Sequence, residues 1–302
     1  VFDLNRQRLQ ETSLIHQHIT DKASFADHQA QMQAAIVEVL GIPDGREQPL
    51  YPRIIAENVV DGYRTEKVFF FSAPDIVVTG VVIHPLDGTV IEQTDLVLFE
   101  NGTNDIPNKR GWLEARLAAG RRLFVFDVRG VGGVQFRPFN RNGYPHAATY
   151  KLGCDAMMLG ISTMGLRVFD VLRGYDYLHT RGDVDRIGLY GIGKSAFYAY
   201  FAGALEEGFS ELAFEDLLYS YRHLTDTRYY NQELYNLEVM AWALLRRFDL
   251  VDLVPCFGDR PFHWISPRNA KGEVLTDEAF EQHFLNVARE QGYLSKAVPP
   301  NA

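Results

Sequence analysis

Two chemistries compete for one stretch of this 302-residue chain, Arg186-Ile-Gly-Leu-Tyr-Gly-Ile-Gly-Lys-Ser-Ala-Phe-Tyr-Ala-Tyr-Phe-Ala-Gly-Ala-Leu205. From Gly188 to Ser195 it matches the phosphate-loop pattern Gly-x-x-x-x-Gly-Lys-Ser/Thr. In such a loop backbone N–H groups cradle phosphates, the lysine (here Lys194) reaches the β/γ-phosphates and the serine (Ser195) binds Mg²⁺. The same stretch has the strand, sharp turn and helix of a nucleophile elbow, Gly-x-Ser-x-Gly, whose serine attacks an acyl carbon. In that alignment Gly191 supplies the small residue that the crowded turn requires, but Gly193 stands at the nucleophile position and has no side chain to attack with. Ser195 lies two residues further on, in the first helical turn, where a hydroxyl is expected to cap or pack.

The surroundings separate the two readings. A phosphate loop follows an apolar strand and usually opens its domain. Here the preceding Arg181-Gly-Asp-Val-Asp-Arg-Ile is mostly polar, and the strand-like residues Ile187–Tyr190 fall inside the supposed loop. Most strand candidates also precede Gly188. A nucleotide-binding enzyme using Gly188–Ser195 therefore stays as an alternative, and the elbow is preferred.

The elements that must hold this turn can be read from periodicity. Lys67-Val-Phe-Phe-Phe and Ile76-Val-Val-Thr-Gly-Val-Val-Ile predict strands joined by Ser72-Ala-Pro-Asp as a hairpin. Further strands are predicted at Leu96–Phe99, Leu123–Val128, Ile187–Tyr190, Leu212–Phe214 and Phe262–Ile265, with helices near 110–119, 155–179, 195–206 and 276–292. Strand–helix alternation implies a mostly parallel sheet covered on both faces. Met164, Val168, Val171, Leu172, Tyr175 and Leu178 share one helix face and predict core. Residues 1–48 predict a helical N-terminal arm packed on the main domain, entered by a capping box at Ser24-Phe-Ala-Asp and stopped at Gly41-Ile-Pro. Residues 49–302 form the second unit.

Composition limits the rest. An apolar fraction of 46% with 23% charged residues indicates a globular chain with a sizeable core. A net charge of −9 argues against nucleic acid or an acidic membrane surface as partner. No apolar run reaches the roughly 20 residues that span a bilayer. Cys154 and Cys256 lie far apart, without metal spacing, and predict two thiols rather than a disulfide framework. Neither metal nor cofactor is expected. The start at Val1 suggests a processed or excised chain, and a secreted or periplasmic setting is favoured over the cytoplasm.

Residues from about 48 to 290 resemble bacterial acetylxylan-esterase-like α/β-hydrolases. The resemblance is carried by Asp61-Gly-Tyr-Arg-Thr-Glu-Lys-Val, Phe126-Asp-Val-Arg-Gly-Val-Gly-Gly and Arg167-Val-Phe-Asp-Val-Leu-Arg-Gly-Tyr-Asp-Tyr-Leu. It continues through Gly182-Asp-Val-Asp-Arg-Ile-Gly-Leu-Tyr-Gly, Phe248-Asp-Leu-Val-Asp-Leu and Arg260-Pro-Phe-His-Trp-Ile-Ser-Pro-Arg-Asn-Ala. It implies an α/β-hydrolase fold with antiparallel leading strands and a triad in chain order Ser, acid, His. Its chemistry is hydrolysis of small acyl esters, such as acetyl groups on plant polysaccharide. Carried over residue by residue, the serine falls on Gly193 and the acid on Asn269, whose neutral amide can hold an imidazole but cannot stabilise imidazolium by charge. The helix expected before the histidine is present near Glu278–Glu290, but no final strand and no histidine follow it.

The resemblance thus implies a carbohydrate-esterase lineage whose activity in this chain is weak or absent, with small acyl esters or acetylated carbohydrate as the ligand class. A non-catalytic carbohydrate-binding or scaffold domain of a larger esterase is the other alternative. Oxyanion donors are expected from the backbone of Lys194 and of the Glu100-Asn-Gly-Thr-Asn104 loop, notably Asn101 and Gly102. His146 and His223 are candidates for the pocket mouth, whereas His263 and His283 are expected to pack. In Asp127-Val-Arg-Gly the acid and Arg129 are expected to pin a turn beside the crevice.

Overall fold

A computed structural model of the chain describes residues 2–11, 19–86, 88–136 and 148–294. Two helices come first, α1 (Phe2–Glu11) and α2 (Lys22–Leu40). The capping box lies three residues earlier than the sequence suggests. Asp21 is the N-cap and accepts the Ser24 N–H at 2.8 Å, while the Ser24 hydroxyl oxygen accepts the Asp21 N–H at 3.1 Å. An N-cap needs extended backbone, and Asp21 has it at φ −151, ψ 177. One stripe of α2 (His28, Ala35, Ile36 and Leu40) is buried, and Gly41 ends the helix as expected.

The leading β structure has three antiparallel strands rather than a single pair: β1 (Arg53–Val60), β2 (Tyr63–Ala73) and β3 (Ile76–Ile83). β1 is exposed along almost its whole length and so lacks the burial alternation that marks a strand. Next come β4 (Gln93–Leu98), α3 (Arg110–Ala118) and β5 (Arg121–Asp127). The helix expected over 155–179 is two helices, α4 (Ala148–Met158) and α5 (Thr163–Thr180), bent by 97°. Ser162 causes the break: its hydroxyl accepts the Gly165 N–H at 2.9 Å and donates to the Leu40 carbonyl at 2.8 Å, so it starts a new helix. Then follow β6 (Ile187–Ile192), α6 (Lys194–Leu205), β7 (Phe209–Glu215), α7 (Tyr221–Asp226) and β8 (Phe262–Ile265). A last helical run comprises α8 (Asp277–Phe280), a π-helical turn (Glu281–Leu285) and α9 (Asn286–Glu290).

Among the described residues the eight strands form one sheet, in the order β1-β2-β3-β5-β4-β6-β7-β8. The pairs from β5 through β8 are parallel, and β3 meets β5 antiparallel. On one face Phe70, Leu96, Phe124, Phe126, Leu189 and Phe214 pack with α2, α5 and α6, in a cluster that includes Val168, Leu172 and Phe201. On the other face Leu113 and Leu117 of α3 cover Val97, Phe99, Val125, Tyr190 and Ile192. Each such aliphatic or aromatic side chain, fully buried, stabilises the fold by about 1.5–3 kcal/mol. Of the predicted α5 face, Met164, Val168, Val171, Leu172 and Leu178 are buried, and Tyr175 is half-buried. Both cysteines are free thiols. Among the described residues no single helix is long and apolar enough to cross a membrane. No described strand pairs with the outer edge of β8.

Candidate active-site crevice

The turn between β6 and α6 lies at the middle of the sheet, where β6 is flanked by β4 and β7. Its tip is Gly193, at φ 62, ψ −127. Positive φ is costly for a residue with a β-carbon, so the sharp strand-to-helix turn is made at a residue that has none. The Gly193 N–H is spent on the Glu215 carbonyl at 3.0 Å. Gly191 is crowded as predicted: a β-carbon there would lie 2.7 Å from both Ala199 Cβ and the Ser195 carbonyl oxygen.

Each predicted site residue can now be placed. Ser195 is buried inside α6 and its hydroxyl donates to the Phe99 carbonyl at 3.1 Å, tying helix to strand. The Lys194 ammonium pairs with Glu238 Oε2 at 2.9 Å. As the first residue of α6, Lys194 has a backbone N–H with no intrahelical acceptor, which is the requirement for an oxyanion donor. The loop after β4 is less open. Asn101 N–H donates to Asp105 Oδ2 at 2.9 Å, Gly102 N–H to the Phe99 carbonyl at 3.0 Å, and Thr103 N–H to Asp127 Oδ1 at 2.6 Å. Asn101 and Gly102 thus have their N–H groups engaged within the protein. His146 lies outside the described residues.

His223 is hydrogen-bonded to the residue that follows Asn269. The Asn269 side chain accepts the N–H groups of Lys271 (2.9 Å) and Glu273 (3.1 Å) and donates to Glu273 Oε2 (2.7 Å), so it closes its own turn. His223 Nδ1 accepts the neighbouring Ala270 N–H at 3.2 Å. Burial pushes the His223 pKa down, with His283 and Lys271 adding to the effect against Asp226. His283, in the π-helical turn, stacks on Tyr219 with ring centres 6.0 Å apart. His263 is half-buried, with Nε2 3.4 Å from Glu211 Oε1. Among the described residues no hydrogen bond links His223 or Asn269 to Gly193, Lys194 or Ser195.

The phosphate-loop alternative is corrected here. Gly188–Ile192 is strand, with backbone paired to β4 and β7, so those N–H groups cannot wrap a phosphate. The lysine and the serine hydroxyl that would serve nucleotide and Mg²⁺ are both engaged as described. Among the described residues no group of three or more His, Cys, Asp or Glu is arranged to hold a metal ion.

Near the turn lie Glu238, Arg167 and Tyr198, to which pattern reading gave no role, together with Asp127 and Arg129, which it expected to pin a turn. Glu238 bridges Lys194 and the buried Arg167, whose guanidinium lies 2.8 Å from Glu238 Oε1 and 2.6 Å from the Tyr198 hydroxyl. Burial pushes the Glu238 pKa up, but Arg167 and Lys194 outweigh it and hold the group below the usual carboxylate range. Burial of Tyr198 pushes its phenol up to about 12. Asp127 joins the two loops: its carboxylate accepts Thr103 N–H and hydroxyl, the Thr79 hydroxyl and Gly133 N–H at 2.6–3.0 Å. Gly102 is required there, since a β-carbon would fall 2.0 Å from Asp127 Oδ1. Arg129 forms a two-point pair with Asp170, at 2.6 and 2.8 Å. Glu100 is different. A β-carbon on Gly193 would lie 2.8 Å from Glu100 Oε2, and among the described residues this carboxylate has no hydrogen-bond or ion-pair partner. The residue as a whole keeps solvent exposure. Partial burial of the carboxylate nevertheless leads in pushing its pKa up, helped by Asp105, Glu238 and Asp216 and opposed by Lys194.

An eight-stranded, mostly parallel sheet with antiparallel leading strands and a glycine-tipped strand–turn–helix at its centre defines an α/β-hydrolase fold. Solved structures agree. A Bacteroides fragilis protein provisionally assigned as an acetyl xylan esterase superposes with a TM-score of 0.75 at 16% identity, covering 96% of this chain and 78% of its own. A glucuronoyl esterase from Solibacter usitatus gives 0.60 at 16% identity, covering 82% and 75%. Acetyl xylan esterase 1 from a Thermoanaerobacterium species gives 0.51 at 15%, covering 96% and 98%. At these identities the likeness is one of fold. No protein-family model and no curated protein matches the chain.

Proposed function

We propose that this chain is an α/β-hydrolase-fold protein of carbohydrate-esterase lineage that has lost serine chemistry and keeps a crevice for small acyl esters or acetylated carbohydrate. The observation that carries the reading is the Gly193 tip: the backbone of an elbow is preserved at φ 62, ψ −127 while the attacking side chain is gone. The neighbouring serine offers no replacement, because its hydroxyl is buried against the Phe99 carbonyl. The solved structures of similar fold bear the names of acetyl xylan and glucuronoyl esterases, which supports the ligand class.

The test has two arms. Hydrolysis of p-nitrophenyl acetate is compared between the protein and Ser195→Ala. Equal rates without a burst are expected, and burst turnover that vanishes in the variant overturns the loss of serine chemistry. Calorimetric titration with acetylated xylo-oligosaccharides is expected to register binding; silence removes the proposed ligand class.

A further inference from the structure

We propose that Glu100 takes over the vacant position as a general base, so that the crevice hydrolyses esters directly through water, without an acyl-enzyme. The proposal rests on reading the crevice as an acyl-ester site.

Position carries it first. A serine oxygen stands one bond beyond its β-carbon. A β-carbon on Gly193 would be 2.8 Å from Glu100 Oε2 and 3.6 Å from Oε1, so the carboxylate lies beside the point from which a side chain at the tip would start. The carboxylate ends a flexible side chain, and with no side chain on Gly193 it stands against the tip of the turn.

Availability comes second. The charged groups facing Glu100 are Lys194 from α6, Asp105 from the loop after β4, Asp216 after β7, and Glu238. Lys194 gives its ammonium to Glu238, Asp216 pairs with Arg268 at 2.7 Å, and Asp105 accepts from Asn101. Of these groups Glu100 alone has no hydrogen-bond or ion-pair partner among the described residues. Withdrawal from water and three neighbouring acids push its pKa up, the direction that suits a carboxylate base working nearer neutrality.

The step balances. Glu100 takes a proton from water as the water oxygen bonds to the acyl carbon, and the carbonyl oxygen becomes an oxyanion opposite the Lys194 N–H. Collapse breaks the bond between the acyl carbon and the alcohol oxygen, and the proton on Glu100 passes to the leaving alkoxide. The products are carboxylic acid and alcohol, and Glu100 returns as carboxylate.

The experiment measures kcat/KM for p-nitrophenyl acetate across pH 5–9 in the protein, Glu100→Gln and Glu100→Asp, with a melting curve for each. Expected are turnover above buffer without a burst, a loss of about 100-fold in Glu100→Gln, and partial retention in Glu100→Asp. The fall in rate at low pH, present in the unmodified protein, should vanish in Glu100→Gln while the variant still melts cooperatively. Glu100→Gln with unchanged rate and profile overturns the proposal, as does wild-type turnover no faster than buffer. In the latter case oligosaccharide binding by calorimetry shows whether the acyl-ester reading survives; Ser195-dependent turnover would instead overturn the loss of serine chemistry, and this proposal with it, while leaving an acyl-ester site standing.

Discussion

Two regions rich in carboxylates lie on opposite terms with their surroundings. Over β6, β7 and β8, Asp95, Arg116, Glu211 and His263 line a cavity of about 210 Å³. There every acid has an answer. Asp95 meets Arg121 at 3.2 Å, Arg116 at 3.3 Å and the Gln93 amide at 2.7 Å. Glu211 meets Arg121 at 2.9 Å and His263 at 3.4 Å, and the His263 contact leads in holding its pKa well below the usual range. Beside Gly193, Glu100 has no hydrogen-bond or ion-pair partner among the described residues, and its pKa goes up. Acid density alone therefore does not mark a site. Paired acids tie strands and helices together, and the unanswered one faces the turn where chemistry is expected.

Four substitutions probe this contrast. Asp127→Ala should have the largest effect, about 3 kcal/mol in urea unfolding, since it removes a buried carboxylate that accepts four hydrogen bonds from Thr79, Thr103 and Gly133. Glu238→Gln should cost about 2 kcal/mol at pH 7, reduced from the full cost of a broken buried pair by the partial exposure of Glu238. Because the folded pKa of Glu238 is depressed, this contribution is complete above its unfolded pKa and fades as pH falls through the folded one. Unfolding at pH 7 and at pH 3 checks the sign.

Gly188→Ala tests the paired region and is expected to cost about 1–2 kcal/mol, because its β-carbon would come within 2.2 Å of the Gln93 amide nitrogen and 2.5 Å of Asp95 Oδ1. This first glycine of the apparent phosphate loop makes room for a polar network. Millimolar Mg-ATP should accordingly leave the melting temperature of the unmodified protein unmoved. The smallest effect is expected for Glu100→Gln and has the opposite sign. An acid whose folded pKa is raised loses stability as pH climbs from its unfolded to its folded value. Removing that charge should raise the melting temperature by about a degree or two at pH 7 and leave it unchanged near pH 3. A variant that melts higher while hydrolysing less would separate the role of Glu100 in the site from any role in folding.

Much of the scaffold was legible locally. β8 has the predicted bounds, Phe262–Ile265, because its apolar run is short and sharply ended. The elbow was legible in layout because Gly191, Gly193 and the small residues of α6 mark a crowded turn. β1 was harder to see because its residues are exposed on both faces, and the break between α4 and α5 depends on Ser162 meeting the Leu40 carbonyl, 122 residues away in sequence. In the crevice, Asn101 and Gly102 stood out as a turn while their neighbour Glu100 did not. Glu238 lies in irregular chain with no periodicity to flag it.

By itself the sequence determined the α/β alternation, the strand–turn–helix layout over β6 and α6, and a glycine at its tip. These follow from residue type and spacing, which set backbone preference and burial over short distances. Tertiary structure alone decided which groups meet: Lys194 with Glu238, Ser195 with the Phe99 carbonyl, and the Glu100 carboxylate with the Gly193 tip. Those relations depend on chain segments brought together by the sheet order, and no local pattern encodes the distance between them.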